Sequence, residues 1–174
     1  MDTPKNITVT PHNGHRGLLR ISGRAYACAL GPAGVTDDKR EGDGATPAGQ
    51  FPLRAVWYRG DHIERPATGL PLREIQKHDG WCDAPQDPNY NSPVTLPYSA
   101  STERMWRDDD VYDLVVIIGH NDAPVVPGRG SAIFLHIANS DFGPTEGCVA
   151  VRRDDLIATI CELTPGSMIE IQTD

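Results

Sequence analysis

The apolar residues of this chain fall in short runs cut by glycine or proline, and one stretch alone, Asp154 to Leu163, spaces them with a clear helical period. Ile7 to Thr10, Leu18 to Ser22 and Arg24 to Leu30 read as strands separated by Gly14, Gly17 and Gly23. Pro52 to Tyr58 reads as another. Leu114 to Ile118 is a continuous apolar run, β-branched from Val115 on, and Ala132 to Ala138 is apolar apart from His136, so both read as buried strands. Cys148 to Val151 and Ser167 to Gln172 add two more. The helical stretch carries Leu156, Ile157, Ile160 and Leu163 and stops at Pro165-Gly166; Leu72 to Lys77 allows one or two further turns. Strands therefore outnumber helices. The expected class is mainly β, a β-sandwich or partly closed barrel with one or two short helices.

At 174 residues the chain suits a single domain over 1–174, long enough to bury its own core. Gly31 to Gly49 is rich in glycine, charge and turn residues and reads as a loop. Between residues 79 and 98, Pro85, Pro88, Pro93 and Pro97 make the chain too stiff for a helix and too long for a simple connection. Loops of that kind commonly cover a site. Gly119 to Ser131 forms a third.

A formal net charge of −8 argues against nucleic acid as a partner, because phosphate contacts demand a basic surface. No apolar run has membrane-spanning length, and the first residues lack the basic-then-apolar layout of an export signal. That leaves a cytosolic protein, or one whose leader is missing from this sequence. Cys28, Cys82, Cys148 and Cys161 are irregularly spaced and form no C-x-x-C pair, which disfavours a zinc ribbon or redox dithiol.

His136 and Cys148 lie 12 residues apart, enough for a strand, a turn over Gly143-Pro144 and a return alongside. A thiol reacts as thiolate, so a nucleophilic cysteine needs a base or a positive environment close by, and an imidazole supplies both. Gly147, without a Cβ, permits unusual dihedrals and lets a carbonyl approach the backbone amides, where an oxyanion could be held. Spacing alone leaves alternatives open. Cys148 could be a small buried hydrophobe like Cys28 and Cys161, His136 a satisfied core histidine, and His120 a second candidate base. A zinc set of His120, His136, Cys148 and Asp122 or Glu146 fits no familiar spacing.

At these residues the sequence resembles the L,D-transpeptidase (YkuD-like) catalytic domain family. The carrying residues are His136 at the end of a strand, then Thr145, Glu146, Gly147, Cys148 and Val149. Upstream, "GDGATPAGQFPL" and "GRGSAIFLH" resemble the family's opening segment and its approach to the histidine. "DGWCDAPQDPNYN" and "VYDLVVIIGHND" resemble a compact, single-domain bacterial subgroup. Two positions depart: many members have histidine where Glu146 stands, and Arg or Asn where Ala150 stands.

The resemblance implies Cys148 as nucleophile, His136 as base, oriented by Asn139 or a nearby carbonyl, and the Gly147 and Cys148 amides as oxyanion donors. The implied substrate is the peptide stem of bacterial peptidoglycan. Acylation at an L-centre would be followed by transfer to an amine, the donor being the third stem residue (3,3-type crosslinks) or the first (1,3-type). Water as acceptor would give an L,D-carboxypeptidase, and a non-catalytic peptidoglycan-binding module is the alternative of another class. Arg152, Arg153 and Arg129 flank the site by sequence and are expected to meet the stem's carboxylates. Trp81, Tyr90 and Asn91 are expected to wall the cleft, with His120 and Glu146 beside the substrate. The family further implies carbapenem-type inhibitors, no cofactor, no metal, and a location in the periplasm or cell envelope.

Overall fold

A computed structural model of the chain describes residues 3–174. Among them the strands are, in chain order, β1 (Ile7–Asn13), β2 (Arg16–Ile21), β3 (Arg24–Ala29), β4 (Val35–Thr36), β5 (Thr46–Pro47), β6 (Gly49–Tyr58), β7 (Leu72–Glu74), β8 (Asp79–Cys82), β9 (Pro93–Thr95), β10 (Thr102–Arg104), β11 (Leu114–Ile118), β12 (Phe134–Ile137), β13 (Val149–Val151) and β14 (Met168–Ile171). The helix α1 (Arg153–Ile160) lies between the last two.

β1, β2 and β3 form an antiparallel meander, flanked by β14 parallel to β1 and by β13 antiparallel to β3. The long β6 pairs with β14 through its first residues and with β11 from Leu53 to Tyr58. β11 pairs with β12, and β12 runs parallel to β13. The order β11-β12-β13-β3-β2-β1-β14-β6 thus returns to β11. Of the two expected architectures this is the partly closed barrel, with one helix.

Alternation along the strands explains the composition of the buried runs. Leu114, Val116 and Ile118 point into the main core with Leu135, Ile137, Val149, Val151 and the Leu156 and Ile160 of α1. Val115 and Ile117 point the other way, into a second cluster with Trp57, Trp81, Phe134 and Cys148. β11 is covered on both faces, and a strand so placed must be apolar at every position.

Leu72 to Lys77 does not form helical turns. Leu72–Glu74 pairs parallel with Val56 to Tyr58, and Ile75 is buried in the second cluster. The free backbone of β6 gives that segment ladder partners, which outweighs its weak helical pattern. The stiff segment near 79–98 is also more ordered than a loop, since β8 pairs with β9 and β10 in a separate three-stranded sheet. Among the described residues no helix is long and apolar enough to cross a membrane.

Candidate active site

The parallel register of β12 and β13 decides how His136 and Cys148 stand. Leu135 lies opposite Val149 and His136 opposite Ala150, which brings Cys148, the residue before β13, level with Phe134. Side chains alternate faces, so Phe134, His136, Cys148 and Ala150 share one face while Leu135, Ile137, Val149 and Val151 fill the core behind. His136 and Cys148 line one cleft of about 550 Å³.

Each group is held by the backbone. Cys148 Sγ donates to the Ala132 carbonyl at 3.2 Å and accepts from the Phe134 N–H at 3.3 Å. His136 Nδ1 lies 2.8 Å from the Ile137 carbonyl. A carbonyl only accepts, so Nδ1 carries the proton and Nε2 is left as the ring's proton acceptor. The orienting group is thus the Ile137 carbonyl and not the Asn139 side chain. Tyr112 meets the ring edge-on, centroids 5.3 Å apart, and fixes its plane.

The turn before Cys148 is shaped by Thr145, whose hydroxyl donates to the Cys148 carbonyl at 2.7 Å and accepts from the Gly147 N–H at 3.1 Å. Gly147 has φ +124, and a Cβ there would sit 2.7 Å from the Ala45 carbonyl oxygen. The glycine is required twice, by its dihedral and by the close approach of the 42–47 segment. Its amide, expected as one of two oxyanion donors, is engaged by Thr145. The Cys148 N–H, by contrast, has no acceptor among the described residues.

Glu41, Asp83, Glu103 and Glu146 put four carboxylates on the cleft wall against one cation, Arg107. Glu103 accepts from the Tyr112 hydroxyl at 2.9 Å and lies 3.6 Å from Arg107; burial raises its pKa against the pull of that hydrogen bond. Sequence reasoning missed Glu103, Arg107 and Tyr112: Glu103 lies on the three-residue β10, too short to carry a pattern, and Arg107 and Tyr112 on the irregular stretch that follows it, around the acidic run Asp108 to Asp110.

Of the residues expected to contact substrate, Glu146 lines this cleft, as does Asn139. Arg129 is ion-paired with Asp38 on the surface, and Arg152 lines a different pocket. Trp81 is buried edge-on against Phe134, centroids 5.1 Å apart, behind the cleft. Tyr90 is buried with its hydroxyl on Glu41 and accepts from the Gly130 N–H. His120 packs edge-on against Phe51 in a third pocket together with Asp122, away from His136 and Cys148, so the zinc set is not assembled. The expectation that Trp81, Tyr90 and Asn91 wall the cleft is corrected: they brace it from behind, because their polar tips find partners inside the fold.

Asn91 is the fastener. Its Oδ1 accepts from Trp81 Nε1 and from the Ala132 N–H, while Nδ2 donates to the His120 and Asn121 carbonyls. Ala132, at φ +52, is the residue whose carbonyl accepts the hydrogen bond of the Cys148 thiol. Asn91→Ala strands these groups and is expected to lower the unfolding free energy by about 3 kcal/mol, measured by urea denaturation.

Burial dominates the electrostatics of the pair. It pushes the Cys148 thiol up to about 12, only partly opposed by the Phe134 N–H, and pulls His136 down to about 4, opposed by the Ile137 carbonyl. The resting site holds a neutral thiol and a neutral imidazole. The unfolded chain therefore binds a proton at residue 136 that the folded chain refuses between pH of about 6.5 and 4. Stability is full above that window and falls through it as pH drops, by up to about 3 kcal/mol. His136→Asn is expected to flatten this acid limb; urea unfolding at pH 7 and pH 4.5 for both proteins measures it.

The partly closed barrel thus presents a buried thiol and an oriented imidazole on one face of a parallel strand pair, within one cleft. The chain belongs to the L,D-transpeptidase catalytic domain (YkuD) family, whose model matches residues 2–171. Among solved structures it is similar to L,D-transpeptidase 1 of Mycobacterium tuberculosis, at 14% identity and a TM-score of 0.42, over 98% of this chain and 63% of that one. It is also similar to an L,D-transpeptidase from Mycobacterium smegmatis, at 12% identity and a TM-score of 0.43, over 97% of this chain and 59% of that one. The chain thus spans about three fifths of the length of either. No curated protein matches it.

Proposed function

We propose that the protein is a cysteine-dependent L,D-transpeptidase acting on peptidoglycan peptide stems in the cell envelope. The observation that carries this is the Nδ1–Ile137 hydrogen bond, which leaves Nε2 as acceptor on the same cleft as the Cys148 thiol. In acylation the thiol gives its proton to His136 Nε2 and sulfur bonds to the donor carbonyl carbon, whose oxygen becomes an oxyanion beside the free Cys148 N–H. The C–N bond then breaks, and the leaving amine takes the proton from Nε2. An acceptor amine attacks the thioester, loses a proton to Nε2, and the C–S bond breaks to restore the thiol.

The resting thiol bonds Ala132 rather than His136, so substrate entry must turn Sγ toward the ring before proton transfer. Family membership supports the substrate class, and the four cleft carboxylates support an acceptor that arrives as an ammonium. Transfer to water would make the same chemistry an L,D-carboxypeptidase. Defined stems, with donors ending beyond the first or the third residue, separate these readings by product mass. A crosslinked product is expected, the productive donor fixes 1,3- or 3,3-type chemistry, and trimmed stems alone would replace transpeptidation by hydrolysis. Binding of stems without any product would instead favour the non-catalytic module.

A further inference from the structure

A continuous row of residues crosses the barrel sheet from His136 through Ala150 and Ala29 to Arg16, each opposite the next. Three strand spacings place Arg16 roughly 14 Å from His136, on the same face. The two alanines between them contribute only methyl groups, and Phe142 packs over them. Beyond Phe142 opens a second pocket of about 420 Å³, joined to the reactive cleft at Asn139, which lines both.

Arg16 and Arg152 both reach into this pocket over the Phe142 ring, with Cζ at 5.2 and 5.7 Å from its centroid. Neither has a carboxylate within ion-pair distance among the described residues. The pocket's other charges are engaged: Arg153 pairs with Asp113 at 2.6 Å and Asp110 at 3.8 Å, and Asp141 accepts from the Gly143 N–H. Two unpaired guanidiniums therefore share one aromatic ring in a chain of net charge −8. Both guanidiniums lie over the ring with no ionic partner, which leaves their N–H donors for a carboxylate, a group that a guanidinium can take by two-point hydrogen bonding. The two adjoining pockets have opposite sign, an acidic one around the thiol and a cationic one beyond Phe142.

We propose that Arg16, Arg152 and Phe142 form a carboxylate-binding subsite that seats a substrate carboxylate several bonds from the reacting carbonyl. This rests on the acyl-transfer reading of the cleft. The carboxylate belongs to the donor or to the acceptor peptide, and the test tells them apart.

The Cys148→Ala protein keeps the pocket and cannot turn over. A donor stem peptide and an amine-bearing acceptor peptide, each as free acid and as C-terminal amide, are titrated into it by calorimetry. For one of the two peptides the amide is expected to bind about five- to tenfold more weakly than the acid. Adding Arg16→Gln and Arg152→Gln should erase that difference, whereas Arg16→Lys and Arg152→Lys should retain part of it. Equal binding of acid and amide for both peptides, or discrimination that survives the Gln pair, overturns the proposal. With Cys148 intact, the unaltered protein is expected to form the thioacyl adduct. An adduct missing from the unaltered protein would sink the acyl-transfer reading while leaving the titration result legible.

Discussion

Cys148→Ala and His136→Ala are each expected to remove product formation from defined stems, by three orders of magnitude or more on the order of losses seen when a nucleophile or its base is deleted. The folds should survive. Cys148 fills its site by two weak sulfur hydrogen bonds and contacts to the Phe134 cluster, so alanine leaves a void of one sulfur atom. Cys148→Ser is the sharper variant. It keeps the shape and the bond to Ala132, yet an alcohol in this buried site is a far weaker nucleophile than a thiol. Product at the unaltered rate from Cys148→Ser would show that sulfur is not the attacking atom.

The second large effect falls on Gly147. Gly147→Ala puts a methyl 2.7 Å from the Ala45 carbonyl oxygen and forces an L-residue to φ +124. Relief requires the nucleophile turn to withdraw from the 42–47 segment, which would break the two Thr145 hydrogen bonds that set the Cys148 backbone. Strain at a position like this costs about 1–3 kcal/mol and the clash adds to it. The expected outcome is a loss of at least about 3 kcal/mol in unfolding free energy together with loss of turnover. A Gly147→Ala protein with unaltered stability and rate would mean that the turn is not constrained as described.

Much of this was legible in the residues. The strand from Leu114 to Ile118 was readable to the residue because both of its faces are buried, and the α1 pattern because its apolar face meets the core. His136 and Cys148 were legible through spacing and resemblance, and the "GDGATPAG" segment proves to be the wall against which Gly147 is fitted. What could not be read was long-range placement. Trp81, Tyr90 and Asn91 have the chemistry of cleft residues, and only the three-dimensional pairing of their polar tips with Glu41, Ala132 and His120 turns them into braces. The places of the arginines could not be read for a related reason. Proximity to Cys148 along the chain says little when Arg152 lies past the end of β13 and Arg107 arrives from an irregular segment 41 residues upstream of the thiol.

The most direct measurement is the intact mass of the protein during turnover of a stem donor without acceptor. A sulfur-linked acyl enzyme predicts a species heavier by the donor acyl group, located on Cys148 by peptide mapping, sensitive to hydroxylamine and discharged by an added amine. Crosslinked product appearing while Cys148 stays unmodified, or an adduct mapping to another residue, would contradict it.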